Sequence, residues 1–396
     1  MRVLRPASLP VHDSAAKPPG VAELPSERRT RAWQAFLDGL TKPSRGATAA
    51  TLATVFVGFA ICAITFTEGF VAGPFHRYLA WGRTDTQLEV TSRALAVRSM
   101  ELDGPAVFIL GSSGIREAIS NSEDLQGLLG ERSPDAPVVC NLSSFDQTTV
   151  EMFALADMLP EKFDGVVLLG INPCDVGAGP QQHHAGAKNG FDLRFGFRSP
   201  AVDAEAIASG HDLPPVTGNY FVDNYRFFLP RLPYLFRNLA FGVPEEEHHP
   251  WAEIGGPIDE NGWDLQAERV KRLVDDYHAQ LNKTLDYYAR MINDLKTRGD
   301  VKVVLLESPI CPRCIEETIG EPFWEQHVAN MSDFAERSSV RYWNLNDEAG
   351  LTNDDFYDYV HIFNPDAQMR YTTALSEELL TLFTPGKSDR RGGRNG

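Results

Sequence analysis

Gly111-Ser112-Ser113 follows a short apolar run, and Asp358-Tyr359-Val360-His361 lies toward the other end of the chain. A serine hydroxyl becomes a nucleophile when an imidazole takes its proton, and the imidazole needs a carboxylate to fix its tautomer. An Asp three residues before a His supplies both from one loop. Asn141-Leu142-Ser143-Ser144 and Gly170-Ile171-Asn172-Pro173 add polar groups of the kind that stabilise a tetrahedral oxyanion. Together these residue types point to acyl transfer through a serine alcohol.

Such groups act together only if the fold gathers them. PAVFIL (105–110), PVVCNL (137–142), GVVLLG (165–170), VKVVLLE (301–307) and RYWNL (341–345) read as strands. The most uniformly apolar of these runs are typical of strands buried on both faces. Helical spacing predicts helices over 121–130, 148–159, 264–297 and 366–383. Strands alternating with helices predict an α/β fold, a three-layer α/β/α arrangement around a parallel five-stranded sheet. Each polar cluster above follows a strand, so a parallel sheet would bring them all to one edge. Residues 175–262, rich in Gly, Pro, His and aromatics, break the rhythm and read as an insertion near that edge.

The order of these motifs resembles the SGNH (GDSL-like) hydrolase superfamily over roughly residues 105–175 and 300–383. Gly111-Ser112-Ser113 is similar to its Gly-Asp-Ser block, which implies Ser113 as the nucleophile. The middle serine resembles a membrane-anchored branch that includes proteins of alginate O-acetylation and teichoic-acid D-alanylation. Gly170-Ile171-Asn172-Pro173 resembles the Gly-x-Asn-Asp block, implying Asn172 as an oxyanion donor, with Pro173 where Asp is usual. Asp358 and His361 match the Asp-x-x-His block, and Asn364-Pro365 resembles its continuation. In the second block Ser143, Ser144 and Asp146 stand where the family carries Gly. The resemblance implies a relay of Ser113, His361 and Asp358, with Asn172 and the backbone N–H groups of Ser113 and Ser144 around the oxyanion. No cofactor and no metal is needed.

Composition sets the compartment and the partners. The chain has 396 residues and a net charge of −17. Residues 1–73 hold eight Lys/Arg and five Asp/Glu, whereas the remainder holds 29 and 49. So acidic a region repels nucleic acid and other dense polyanions. Gly46 to Thr67 is 22 residues without a charge, long enough to cross a bilayer. Arg28, Arg29, Arg31, Lys42 and Arg45 precede it, which predicts a cytoplasmic N-terminus and an extracytoplasmic domain. The run reads as an uncleaved anchor; a buried core helix and a cleaved signal peptide are the rivals.

The expected organisation is a disordered, basic segment over 1–45 (with an amphipathic helix over 28–42), an anchor over 46–73 and a helical connector over 74–104. An SGNH-like domain follows over 105–384, then a disordered tail over 385–396. Cys311-Pro312-Arg313-Cys314 reads as a structural bridge or free thiols ahead of a redox or metal role. His183-His184 and His248-His249 are weak metal candidates, and Arg116 reads as a solvated helix-start residue or a substrate contact. Tyr220, Phe221, Tyr225, Phe227, Phe228, Tyr234 and Phe236 suit core packing, a membrane surface or a sugar groove. The function expected is O-acyl transfer, acetyl foremost, to a cell-envelope polysaccharide or glycolipid, with a membrane-embedded acyltransferase as partner. An esterase and a non-catalytic glycan-binding or assembly subunit are the alternatives.

Overall fold

The computed structural model describes residue 34 and residues 44–82, 85–132, 136–181, 189–243 and 256–383. The basic helix expected over 28–42, the tail over 385–396 and both histidine pairs lie outside the described residues, residue 34 excepted. The chain divides into two units, Met1–Cys62 and Ala63–Gly396. A helix runs from Arg45 to Thr65 and buries none of its side chains. It is long and apolar enough to cross a membrane. It stops short of the apolar run's end because Thr67 caps the next turn, its Oγ1 accepting from the Phe70 N–H at 3.2 Å.

The second unit is built on a five-stranded, all-parallel sheet: β1 (Ala106–Leu110), β2 (Val138–Asn141), β3 (Gly165–Ile171), β4 (Val301–Glu307) and β5 (Arg341–Trp343). The spatial order is β2-β1-β3-β4-β5. Every residue of β1 and β3 is buried, as expected of central strands with elements on both faces. Val107, Ile109, Val166, Leu168, Val304 and Leu306 share one core with side chains of the helices Ser122–Gly130 and Pro365–Phe383. Because β2 and β3 flank β1 on opposite sides, the order reverses at β1. In open sheets of this kind, ligands bind beyond the strand C-termini at such a point.

Two glycines permit close approach there. A Cβ on Gly170 would lie 2.6 Å from Ile115 Cγ1 and 3.1 Å from Gly111 Cα, and one on Gly111 would lie 3.3 Å from Gly170 Cα. Any larger residue at either position would push the ends of β1 and β3 apart.

Several elements differ from expectation. The helix predicted over 264–297 is two, Glu260–Asp275 and Tyr277–Leu295. Asp275-Asp276 interrupts it, since short acidic side chains compete with the helix backbone. The connector over 74–104 is helical as expected but in two pieces among its described residues, a 3₁₀ segment, Pro74–Leu79, and a helix, Thr86–Arg98. The helix Glu321–Arg337, between β4 and β5, was not expected. The described residues of the insertion include helices, among them Pro200–Ala208 and Leu232–Phe241. Its aromatics divide: Phe221, Phe227 and Phe228 are core, while Tyr225 and Phe236 are exposed. β5 ends at Trp343, two residues early.

Candidate active site

Ser113 is the first residue of the short helix Ser113–Ala118, which starts directly beyond β1 and is preceded by an extended Ser112. The sharp turn places its hydroxyl at the C-terminal edge of the sheet, 8% exposed. Ser113 Oγ lies 2.7 Å from His361 Nε2. On the other side of the ring, Nδ1 lies 2.9 and 2.8 Å from the two oxygens of Asp358. A carboxylate only accepts, so Nδ1 carries the proton and Nε2 presents its lone pair to the serine hydroxyl. That is the tautomer a general base requires.

The loop carrying this pair is tied at several points. Asp358 Oδ1 accepts the N–H groups of Val360 and His361, each at 3.0 Å. The Tyr357 N–H donates to the His361 carbonyl at 2.8 Å, and the Cys311 N–H donates to the Tyr359 carbonyl at 2.9 Å. Phe356 and Ile362 close an antiparallel bridge.

The electrostatics follow from this enclosure. Burial alone would raise the Asp358 carboxyl, but His361 and the two backbone donors outweigh it and hold its pKa below the ordinary value. Burial alone would lower the His361 pKa, but the Asp358 charge and hydrogen bond outweigh it and raise the pKa. Each partner therefore favours the charged form of the other.

The oxyanion donors are placed less simply. Asn172 caps the helix Pro173–Ala178, its Oδ1 accepting from the Asp175 N–H at 2.8 Å. Its Nδ2 donates to Asp175 Oδ2 at 2.6 Å, and Ser112 Oγ donates to the same oxygen at 3.0 Å. One Nδ2 hydrogen of Asn172 is left beyond that bond.

Ser144 requires a correction. Its N–H donates to the Gly111 carbonyl at 3.1 Å, and its Oγ accepts from Gln147 Nε2 at 3.1 Å. The β1–β2 ladder continues past the named strands through Leu142 and Ser144, which consumes the expected donor. Asp146 instead adopts the left-handed conformation, φ 48°, that favours Gly and that Asp tolerates. Its carboxylate is exposed and faces Arg269 at 3.8 Å. The N–H groups of Ser113 and Asp146 meet no acceptor among the described residues.

Three supporting residues were not anticipated in these roles. Gln147 Oε1 accepts the Gly111 N–H at 2.9 Å while its Nε2 reaches the Leu142 carbonyl at 3.0 Å, tying the turn after β1 to the loop after β2. Arg116 is buried rather than solvated, and pairs with Glu89 at 2.9 Å, which anchors the Ser113 helix. Asp175 is the third, a half-buried carboxylate that holds Asn172 and Ser112 together.

Burial pushes Asp175 up to about 7 from 3.8; the Ser112 bond opposes this, while Glu307 and Asp146 add to it. The fold therefore binds this proton more tightly than the unfolded chain does. Its contribution to stability is fully present below pH 3.8 and is lost as pH rises through about 7. Asp175→Asn should flatten that part of the stability–pH curve, as read from melting temperatures between pH 4 and 8. An unchanged slope would show that Asp175 titrates normally.

Two other clusters offer less to the chemistry. His327 Nε2 lies 2.9 Å from Glu307 Oε2, with Tyr277 OH 3.0 Å from His327 Nδ1, but the pair is fully buried. Cys311 and Cys314 are buried free thiols. Burial raises both, Cys314 to about 12, so they stay protonated and weakly nucleophilic. A surface depression of about 1330 Å³ lies at the opposite edge of the sheet, lined by Gly104, Pro105 and Asp300 among others, and contains none of the relay residues.

A scan against protein families finds no family model that matches this chain, and a search of curated proteins finds no match either.

Proposed function

We propose that this chain is a serine-dependent acyl-ester enzyme with a three-layer α/β/α domain of SGNH type. The observation that supports this is the continuous hydrogen-bonded path from Ser113 Oγ through His361 to Asp358. His361 takes the Ser113 proton as the hydroxyl attacks an ester carbonyl. Asp358 holds the ring and stabilises its charged form. The N–H groups of Ser113 and Asp146 and the remaining Asn172 Nδ2 hydrogen are the donors left available for the oxyanion, each such donor being worth on the order of 3 kcal/mol. His361 then returns the proton to the departing alcohol. Water or a sugar hydroxyl, deprotonated in turn by His361, takes the acyl group as the Ser113 Oγ–acyl bond breaks, and His361 hands that proton to Ser113 Oγ.

In this reading the helix Arg45–Thr65 is a single-pass anchor, the N-terminus is cytoplasmic and the acidic domain lies outside. The substrate is an uncharged or lightly charged envelope glycan or glycolipid, because the acidic domain disfavours polyanions. O-acyl transfer, acetyl foremost, from a membrane-embedded donor protein is preferred to hydrolysis. The discriminating test is release of p-nitrophenol from p-nitrophenyl acetate, with and without a neutral oligosaccharide acceptor. A transferase gives an acetylated acceptor and a faster release when the acceptor is present. Release at one rate regardless, with acetate as the sole product, identifies an esterase.

A further inference from the structure

The helix Leu232–Phe241 is inside out. Its one fully buried side chain is Asn238, whereas Phe236, Leu239 and Phe241 are 69, 62 and 87% exposed. A helix packed on a water-facing domain normally buries its apolar side chains and exposes its polar ones. Here the polar residue does the docking: Asn238 Nδ2 donates to the carbonyls of Tyr78 and Ala80 at 3.0 and 2.8 Å. Arg231 reinforces the contact, pairing with Asp85 at 2.8 Å and lying between the rings of Trp81 and Phe227.

The exposed aromatics are concentrated on this pair of segments. From Ala63 onward, the exposed Phe and Trp side chains among the described residues are Phe75, Trp81, Phe236 and Phe241. Residues 74–82 and 225–241 contain no Asp or Glu and four arginines, of which Arg231 is buried against Asp85 and Arg226 pairs with Asp192 at 3.3 Å, within a region that is otherwise strongly acidic. These segments also adjoin the point where the apolar helix ends. Asn219 Nδ2 donates to the Ala63 carbonyl at 3.0 Å, and Phe66 stacks on Phe228 with ring centroids 5.3 Å apart. The chain then passes through Glu68–Ala72 directly into Pro74–Leu79, on which the inverted helix docks.

We infer that the Leu232–Phe241 helix and the Phe75–Trp81 segment form a membrane-contacting face, seated in the headgroup layer of a bilayer with acidic lipids. This rests on reading Arg45–Thr65 as a membrane anchor. The aromatic side chains enter the acyl boundary while the exposed Arg226 and Arg237 meet phosphate, the usual division of an interfacial helix. A second protein could cover an apolar face, but adjacency to the span and a basic, acid-free composition favour lipid. Such seating would hold the catalytic domain in one orientation relative to a substrate delivered at the membrane.

The test uses the full chain in nanodiscs of phosphatidylethanolamine and phosphatidylglycerol carrying a trace of diazirine-bearing phospholipid. After illumination, mass spectrometry locates the labelled peptides. Label is expected in 45–65 and also in 229–243 and 74–82. Phe236→Ser with Phe241→Ser should remove the label from 229–243 while leaving 45–65 labelled. Label confined to 45–65 overturns this inference and leaves the anchor intact. No label in 45–65 overturns the anchor reading itself. A 229–243 segment unlabelled by lipid that cross-links to a second polypeptide in native membranes assigns the face to a protein partner and also overturns the inference.

Discussion

Replacing Ser113 with alanine is expected to lower p-nitrophenyl acetate cleavage by roughly 10,000-fold or more, the scale on which single members of a serine relay act. The loss falls on the acylation step, because without Oγ no covalent ester can form. The fold should survive. Ser113 Oγ makes one side-chain hydrogen bond, to His361, and a typical bond of that kind contributes only about 1 kcal/mol to stability. The neighbouring serine provides the control. Ser112 Oγ donates to Asp175 and not to His361, so Ser112→Ala should cost less than about tenfold. A serine-directed fluorophosphonate should label the wild type and Ser112→Ala at Ser113 and leave Ser113→Ala unlabelled. If Ser113→Ala stays active and Ser112→Ala does not, the nucleophile is Ser112. A Ser113→Ala protein that still supports full envelope modification in cells would convert the enzyme reading into one of a glycan-binding subunit.

How far this site could be read from the chain depends on the range of each interaction. β1, β3 and β4 are legible because sandwiched strands are continuously apolar, and runs such as Val107–Leu110 or Val303–Leu306 have few other uses. The chain order of the motifs and their placement after strands follow from those runs. Asp358 and His361 are legible because their contact spans three residues in one loop.

The fate of the Ser144 N–H was not legible, since it depends on how far the β1–β2 ladder continues beyond Asn141, a pairing between segments. Gln147 and Asp175 act on Gly111 and Ser112 across 36 and 63 residues, and no local spacing marks either. The helix Glu321–Arg337 had a usable signal: His327, Met331, Phe334 and Ala335 recur at helical spacing and are buried. His327 joins that stripe because its buried bond to Glu307 makes a polar residue a core position.

Asp358→Asn tests the electrostatic half of the relay, and its expected effect is nearly as large. Asp358 presents two acceptor oxygens, whereas Asn presents one acceptor and one donor. Oδ1 already takes the N–H groups of Val360 and His361, so the amide oxygen will remain there. The amide NH₂ then replaces Oδ2 at 2.8 Å from His361 Nδ1, and the oxygen kept at the Oδ1 position, 2.9 Å from the same nitrogen, is already occupied by two backbone donors. Two donors cannot share that contact, so the ring proton moves to Nε2 and the lone pair turns away from Ser113. Geometry is preserved while the base is lost, and kcat should fall by about 10,000-fold.

The pH dependence supplies a second reading. His361 must be neutral to accept a proton, so wild-type activity is expected to rise with pH through its raised pKa. Without the Asp358 charge that pKa falls, and the rising limb of the residual activity should move to lower pH. Stability shifts in a defined window as well. The Asp358 contribution is present above pH 3.8 and is lost as pH falls through its lowered folded value. The His361 contribution is present below pH 6.5 and is lost as pH rises through its raised folded value. The pair therefore stabilises most between those limits, where Asp358→Asn should lower the melting temperature most. A variant whose activity limb stays at the wild-type pH would show that Asp358 does not set the basicity of His361.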